Sequence, residues 1–111
     1  MIEMQDELQD DVLVLSPTGR IDGANAKEYE DTLLDRIKAG NSKILLDCQR
    51  ISYISSAGLR VLLMASRRAG EAAGSLILCE VQDQVHDVFK FSGFAEIIQI
   101  HDDRDTALEA F

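Results

Sequence analysis

Three short, near-continuous apolar runs limit what this chain can fold into: Val12-Leu13-Val14-Leu15, Ile44-Leu45-Leu46 and Leu76-Ile77-Leu78-Cys79. Runs of this length, closed by Pro, Gly, Asp or Asn, read as strands, the second and third as buried ones central in their sheet. Between them, apolar residues recur at helical spacing. Tyr29, Leu33, Leu34 and Ile37 mark one helix, stopped by Gly40-Asn41, and a longer pattern from about Ser56 to Gly74 marks a second. Strands separated by crossover helices favour a mixed sheet covered by helices.

The ends of the chain extend this pattern. Ile2, Met4 and Leu8 give a weaker alternating strand, with a turn at Leu8–Asp11 before the first buried run. Asp83 is placed to cap a short helix with Val85, Val88 and Phe89 on its apolar face and Gly93 as its stop. Ile97-Ile98-Gln99-Ile100 reads as a last strand, and Asp103 or Asp105 opens a terminal helix carrying Ala107, Leu108 and Phe111. The expected order is ββαβαβαβα, an α/β fold in one domain over residues 1–111. A chain of 111 residues has room for one core and not two.

Charge narrows the function classes. The net charge is −9, so phosphate backbones and anionic lipid are repelled, and neither nucleic acid nor a membrane surface is an expected partner. Val61–Ala65 is the longest apolar run, against about 20 residues for a membrane-spanning helix. Met1–Glu7 lacks the basic and apolar regions of a signal peptide, which points to the cytoplasm. Cys48 and Cys79 have no C-x-x-C spacing and read as buried thiols. His86 and His101 have no ligand spacing, so no metal or cofactor is expected. Phosphate-loop, dinucleotide and zincin motifs are absent, and Ser55-Ser56-Ala57-Gly58 lacks the glycine that a nucleophile elbow needs before its serine. The chain is read as a non-enzyme and a monomer.

The informative segment is Ile51–Leu63, where two adjacent hydroxyls, Ser55 and Ser56, stand at the start of the long helix. A serine at that place reads first as a cap. One serine suffices for a cap, however, and neither has Glu or Gln three residues on to complete a capping box. Gly58 in the first turn costs helix stability of about 0.5–1 kcal/mol relative to Ala, which suits close approach by another backbone. Val61, Met64 and Ala65 widen the apolar arc beyond the stripe of Leu59, Leu62 and Leu63. Val61 and Met64 either pack under a neighbouring loop or form an exposed apolar rim beside the serines, which would mark a partner surface. Upstream, Asn25 and Glu28 have capping-box spacing at the start of the first helix.

Tyr53-Ile54-Ser55-Ser56-Ala57-Gly58-Leu59, together with Gly19-Arg20-Ile21-Asp22-Gly23-Ala24-Asn25-Ala26, resembles the STAS domain of bacterial anti-sigma-factor antagonists, over essentially the whole chain. The resemblance implies a STAS-type mixed sheet covered by helices. It further implies a partner switch: the unmodified protein binds an anti-sigma factor that doubles as a serine kinase, phosphorylation at the start of the second helix releases it, and a serine phosphatase reverses the step. Alignment on Gly58-Leu59 places Ser56 at the phosphoacceptor, with Ser55 the alternative, standing where the family usually has Asp. Ser55, Gly58, Leu59, Val61 and Met64 are the implied docking neighbours, with Asp22 and Asn25 on the same edge. The rival readings are a STAS module that binds a ligand or serves a transporter as a scaffold without phosphorylation, and a small hydrolase using Ser56.

Overall fold

The computed structural model describes residues 2–111. Strand β1 (Glu3–Gln9) turns at Asp10, which carries φ 56°, into the long β2 (Val12–Ile21), and the two pair antiparallel. Then follow α1 (Ala26–Lys38), β3 (Lys43–Asp47), β4 (Ile51–Ile54), α2 (Ser56–Glu71), β5 (Ser75–Cys79) and α3 (Asp83–Phe91). A 3₁₀ turn (Phe94–Glu96), β6 (Ile100–His101) and α4 (Arg104–Glu109) close the chain. The sheet runs β1-β2-β3-β5-β6, antiparallel only at β1, with β4 attached to β2. This is the expected mixed α/β architecture with one added strand.

Strand periodicity divides the sheet into two faces. Leu13, Leu15, Ile44, Leu46, Leu76 and Leu78 face the main core, which Tyr29 and Leu33 of α1, Leu62 and Ala65 of α2, and Val85 and Phe89 of α3 complete. Val12, Val14, Leu45, Ile77 and Cys79 face the other way and are covered by Ala107 of α4, with Leu108 and Phe111 beside it. The central strands are therefore apolar at consecutive positions wherever both faces are covered, which is why Val12–Leu15, Ile44–Leu46 and Leu76–Cys79 read as unbroken runs. The terminal helix is also held by charge. The Arg104 guanidinium bonds Asp47 at 2.8 Å and Glu7 at 2.6 Å, tying α4 to β3 and β1.

Two local expectations are corrected. Ile97 is 67% exposed and Ile98 is buried beyond the 3₁₀ turn, so the last strand begins only at Ile100. The second helix ends at Glu71 rather than Gly74, and the left-handed residue of the exit is Ala73, at φ 63°. Gly74 serves a different need: a Cβ there would lie 2.0 Å from the Ser42 carbonyl oxygen, so only glycine lets the loops pass.

The added strand positions the site. β2 is long enough to pair with β3 through Leu13–Leu15 and then with β4 through Gly19–Ile21, both in parallel. The chain therefore parts from β2 after Leu46 and rejoins it at Ile51. Ile54 falls opposite Ile21, and the Ser55 N–H donates to the Ile21 carbonyl at 2.9 Å. The start of α2 is thereby fixed beside the turn that starts α1.

Candidate functional site

At the start of α2 the two serines divide their work. Ser55, in extended backbone, is the cap, and its Oγ accepts the Gly58 N–H at 3.3 Å. Ser56 is the first helical residue and is exposed. No acidic residue stands in the first turn of α2. Backbone N–H groups and the helix dipole there are matched to added negative charge.

Gly58 explains how α2 comes so close to the sheet. A Cβ there would sit 2.7 Å from Ile54 Cγ1, 2.9 Å from Ile21 Cγ2 and 3.0 Å from the Ile21 carbonyl. The close approach expected of this glycine is thus to the protein's own β2 and β4. Gly58 is buried, and Leu59 is half-buried against the main core. Of the two readings of Val61, packing under a neighbouring element is the one observed, though that neighbour is α1 and not a loop. Val61 is only 7% exposed and belongs to the core, because α2 packs against α1 as well as the sheet. Met64 is half-buried.

Val61 and Met64 instead line an open groove of about 480 Å³ between α1 and α2. Ala57 and Arg60 continue its α2 wall, while Ala26, Lys27 and Glu30 belong to the α1 wall. Small residues at 26 and 57 leave the floor open, and the charged side chains flank it.

The turn before α1 is the second part of this edge. Asn25 Oδ1 accepts the Asp22 N–H at 2.9 Å, and Asn25 Nδ2 donates to the Arg20 carbonyl at 2.8 Å. Asp22 Oδ1 accepts the Ala24 N–H at 3.0 Å. These bonds correct the capping-box expectation: Asn25 stands at the cap position but spends its side chain on the preceding turn. Glu28 accepts the Ile2 N–H at 3.0 Å instead of reaching back to the cap. Asp83 likewise does not cap α3, being its first helical residue after Gln82, whereas Asp103 caps α4 through the Thr106 N–H at 2.7 Å.

One pair at this edge was not singled out from sequence. The Arg20 guanidinium lies 4.2 Å from the centre of the Tyr53 ring and 3.4 Å from Asp22 Oδ2. Tyr53 is 40% exposed, so this stacked pair presents an aromatic surface three residues before Ser56. Only the parallel pairing of β4 with β2, which places Arg20 opposite Tyr53, brings the two together.

Elsewhere the reactive side chains are quiet. Burial pushes the Cys48 thiol well above its ordinary 9.0, with the neighbouring Cys79 and Asp47 adding to the effect. Burial likewise pushes Cys79 up to about 12. Among the described residues no cluster of His, Cys, Asp or Glu could hold a metal ion, and no helix is long and apolar enough to cross a membrane. No histidine hydrogen-bonds either serine among those residues.

Comparison with known proteins agrees with this geometry. The family model for the STAS domain matches residues 3–107. BtrV of Bordetella bronchiseptica, described as a candidate anti-sigma factor antagonist, is 37% identical over 102 residues, which is 92% of this chain and 88% of the relative. Among solved structures, a candidate anti-sigma factor antagonist from Thermotoga maritima superposes with a TM-score of 0.91 at 23% identity, covering 96% of this chain and 92% of the other. SpoIIAA of Bacillus in its phosphorylated form gives 0.72 at 22% identity, covering 97% and 98%.

Proposed function

The chain belongs to the STAS domain family, and on that premise we propose that it is a partner switch controlled by phosphate on Ser56. The unmodified protein docks through the edge formed by the start of α2, the 22–25 turn and the groove between α1 and α2. Its partner is an anti-sigma factor of the serine-kinase type, in keeping with the description of the Bordetella relative as an anti-sigma factor antagonist. The phosphorylated state of the Bacillus neighbour supports the same reading. The observation that carries the proposal is the division of labour at α2: Ser55 takes the cap, so the exposed Ser56 hydroxyl is not needed for the fold.

In the modification step the Ser56 Oγ forms a bond to the γ-phosphorus of a nucleoside triphosphate as the bond to the bridging oxygen breaks. The hydroxyl proton passes to a base on the kinase and the diphosphate leaves. A phosphatase delivers water to the same phosphorus as its bond to the Ser56 Oγ breaks, so that the serine oxygen takes up a proton and inorganic phosphate leaves. The modified side chain carries about −1.5 to −2 charges, which the start of a helix tolerates. A partner seated on that edge must instead desolvate them. Moving a complex from 99:1 to 1:99 takes about 5.5 kcal/mol of differential affinity, within reach of burying an uncompensated phosphate. Docking is thus blocked at the surface with no refolding.

The test is phosphate mapping. Wild type, Ser55→Ala and Ser56→Ala are incubated with the cognate kinase, and fragmentation mass spectrometry locates the product. Loss of phosphate only in Ser56→Ala is expected. Loss only in Ser55→Ala moves the acceptor to the cap residue and overturns the assignment.

A further inference from the structure

Ser56 and Arg60 are four residues apart on α2, and both are exposed on one face of the helix. The other cations at this edge are already engaged. Arg20 is stacked on Tyr53 and lies 3.4 Å from Asp22, and Lys27 meets Glu30 at 3.2 Å and Asp31 at 3.1 Å. Arg60 has no carboxylate within ion-pair distance among the described residues; Glu30 of α1 lines the same groove between α1 and α2 but is paired with Lys27 at 3.2 Å. A cation this close to the start of a helix also gains nothing from the helix dipole. The helix itself therefore gives no reason for an arginine at this place.

We propose that Arg60 is the internal counter-ion of the phosphate on Ser56, so that modification also withdraws Arg60 from the groove. This deepens the partner-switch reading and rests on it. An acidic group one turn N-terminal to a basic one is the favourable order on a helix, and a guanidinium can meet two phosphate oxygens at once. Before modification, Arg60 is free to meet a carboxylate of the docked partner. Afterwards the chain supplies the anion itself. The switch then has two arms, a charge added to the edge and a cation removed from it.

The pairing can be measured without kinase or partner by incorporating phosphoserine at position 56 during translation. A ³¹P NMR titration at low salt then reads the second ionisation of the phosphate. It should fall about 0.3 pH unit lower in the otherwise wild-type protein than in Arg60→Gln, should be largely restored by Arg60→Lys, and should converge with Arg60→Gln in 1 M salt. In parallel, phenylglyoxal labelling of Arg60, followed by mass spectrometry, should proceed at about half the rate in the phosphorylated protein. Identical titrations in wild type and Arg60→Gln, or labelling unaffected by the phosphate, overturn the proposal. Because the phosphate is placed by translation, this failure is distinct from failure of the mapping experiment, which tests whether a kinase selects Ser56.

Discussion

The Oγ of Ser55 accepts the Gly58 backbone N–H at 3.3 Å, and this one bond separates the roles of two adjacent serines. It makes Ser55 structural and leaves Ser56 available. Stability measurements can see the difference. Ser55→Ala should cost about 1 kcal/mol in urea unfolding through loss of the cap, while Ser56→Ala should stay within about 0.5 kcal/mol of wild type. The reverse order would place the cap on Ser56.

Gly58→Ala pits helix propensity against packing. Alanine gains up to about 1 kcal/mol in a helix, but its Cβ would lie 2.7 Å from Ile54 Cγ1 and 3.0 Å from the Ile21 carbonyl oxygen. The side chain of Ile54 can shift, whereas the backbone of β2 cannot follow without disturbing the sheet. Overpacking of this kind costs about 1–3 kcal/mol, so a net loss of about 1 kcal/mol is expected. A stabilised variant in urea unfolding would show that α2 can move away from β2.

Arg104 holds the terminal helix through Asp47, whose side chain is only 7% exposed. Arg104→Leu leaves that carboxylate without its cation and should cost about 2 kcal/mol, less than a fully buried pair because Arg104 itself is one-third exposed. Adding Asp47→Asn should recover part of the loss, since Asp47 Oδ1 also accepts the Gln49 N–H at 3.0 Å and an amide oxygen can do the same. Full stability in Arg104→Leu would mean that apolar cover alone holds α4.

The thiols set an alkaline limit. Cys79 is pushed up to about 12 and Cys48 well above 9.0, while Tyr29 is raised above 10.0, mainly by burial. In the unfolded chain these groups lose protons near their ordinary values, so above about pH 9 the unfolded state binds fewer protons than the folded one. Stability is therefore full below pH 9 and falls as pH rises toward 12. Urea midpoints measured from pH 7 to 10.5 should show the decline, and a thiol reagent at pH 8 should leave the native protein unlabelled until it unfolds. Rapid labelling of native protein would contradict the burial of both thiols.

The sequence made some of these features visible and hid others, for physical reasons. The strands containing Val12–Leu15, Ile44–Leu46 and Leu76–Cys79 were legible because burial on both faces leaves a continuous apolar signature. β4 was not, since Ile51-Ser52-Tyr53-Ile54 buries only its two isoleucines and becomes a strand through the backbone of a distant β2. The Ser55-Ser56 motif pointed to the candidate site, and only the geometry shows that Ser55 is the cap. Val61 could not be told from a rim residue by helical spacing alone, because α1 rather than solvent covers that side of α2. Arg20 and Tyr53 carried no local signal of their contact, which depends on strand register.

The most direct measurement of the central claim is calorimetry of the cognate kinase-type anti-sigma factor against unmodified protein, Ser56→Ala and protein carrying phosphoserine at 56. The first two should bind alike, since neither brings charge to the edge. The phosphorylated form should bind about ten-thousand-fold more weakly if the switch runs from 99:1 to 1:99. Equal affinity for the phosphorylated and unmodified forms would contradict control by phosphate on Ser56.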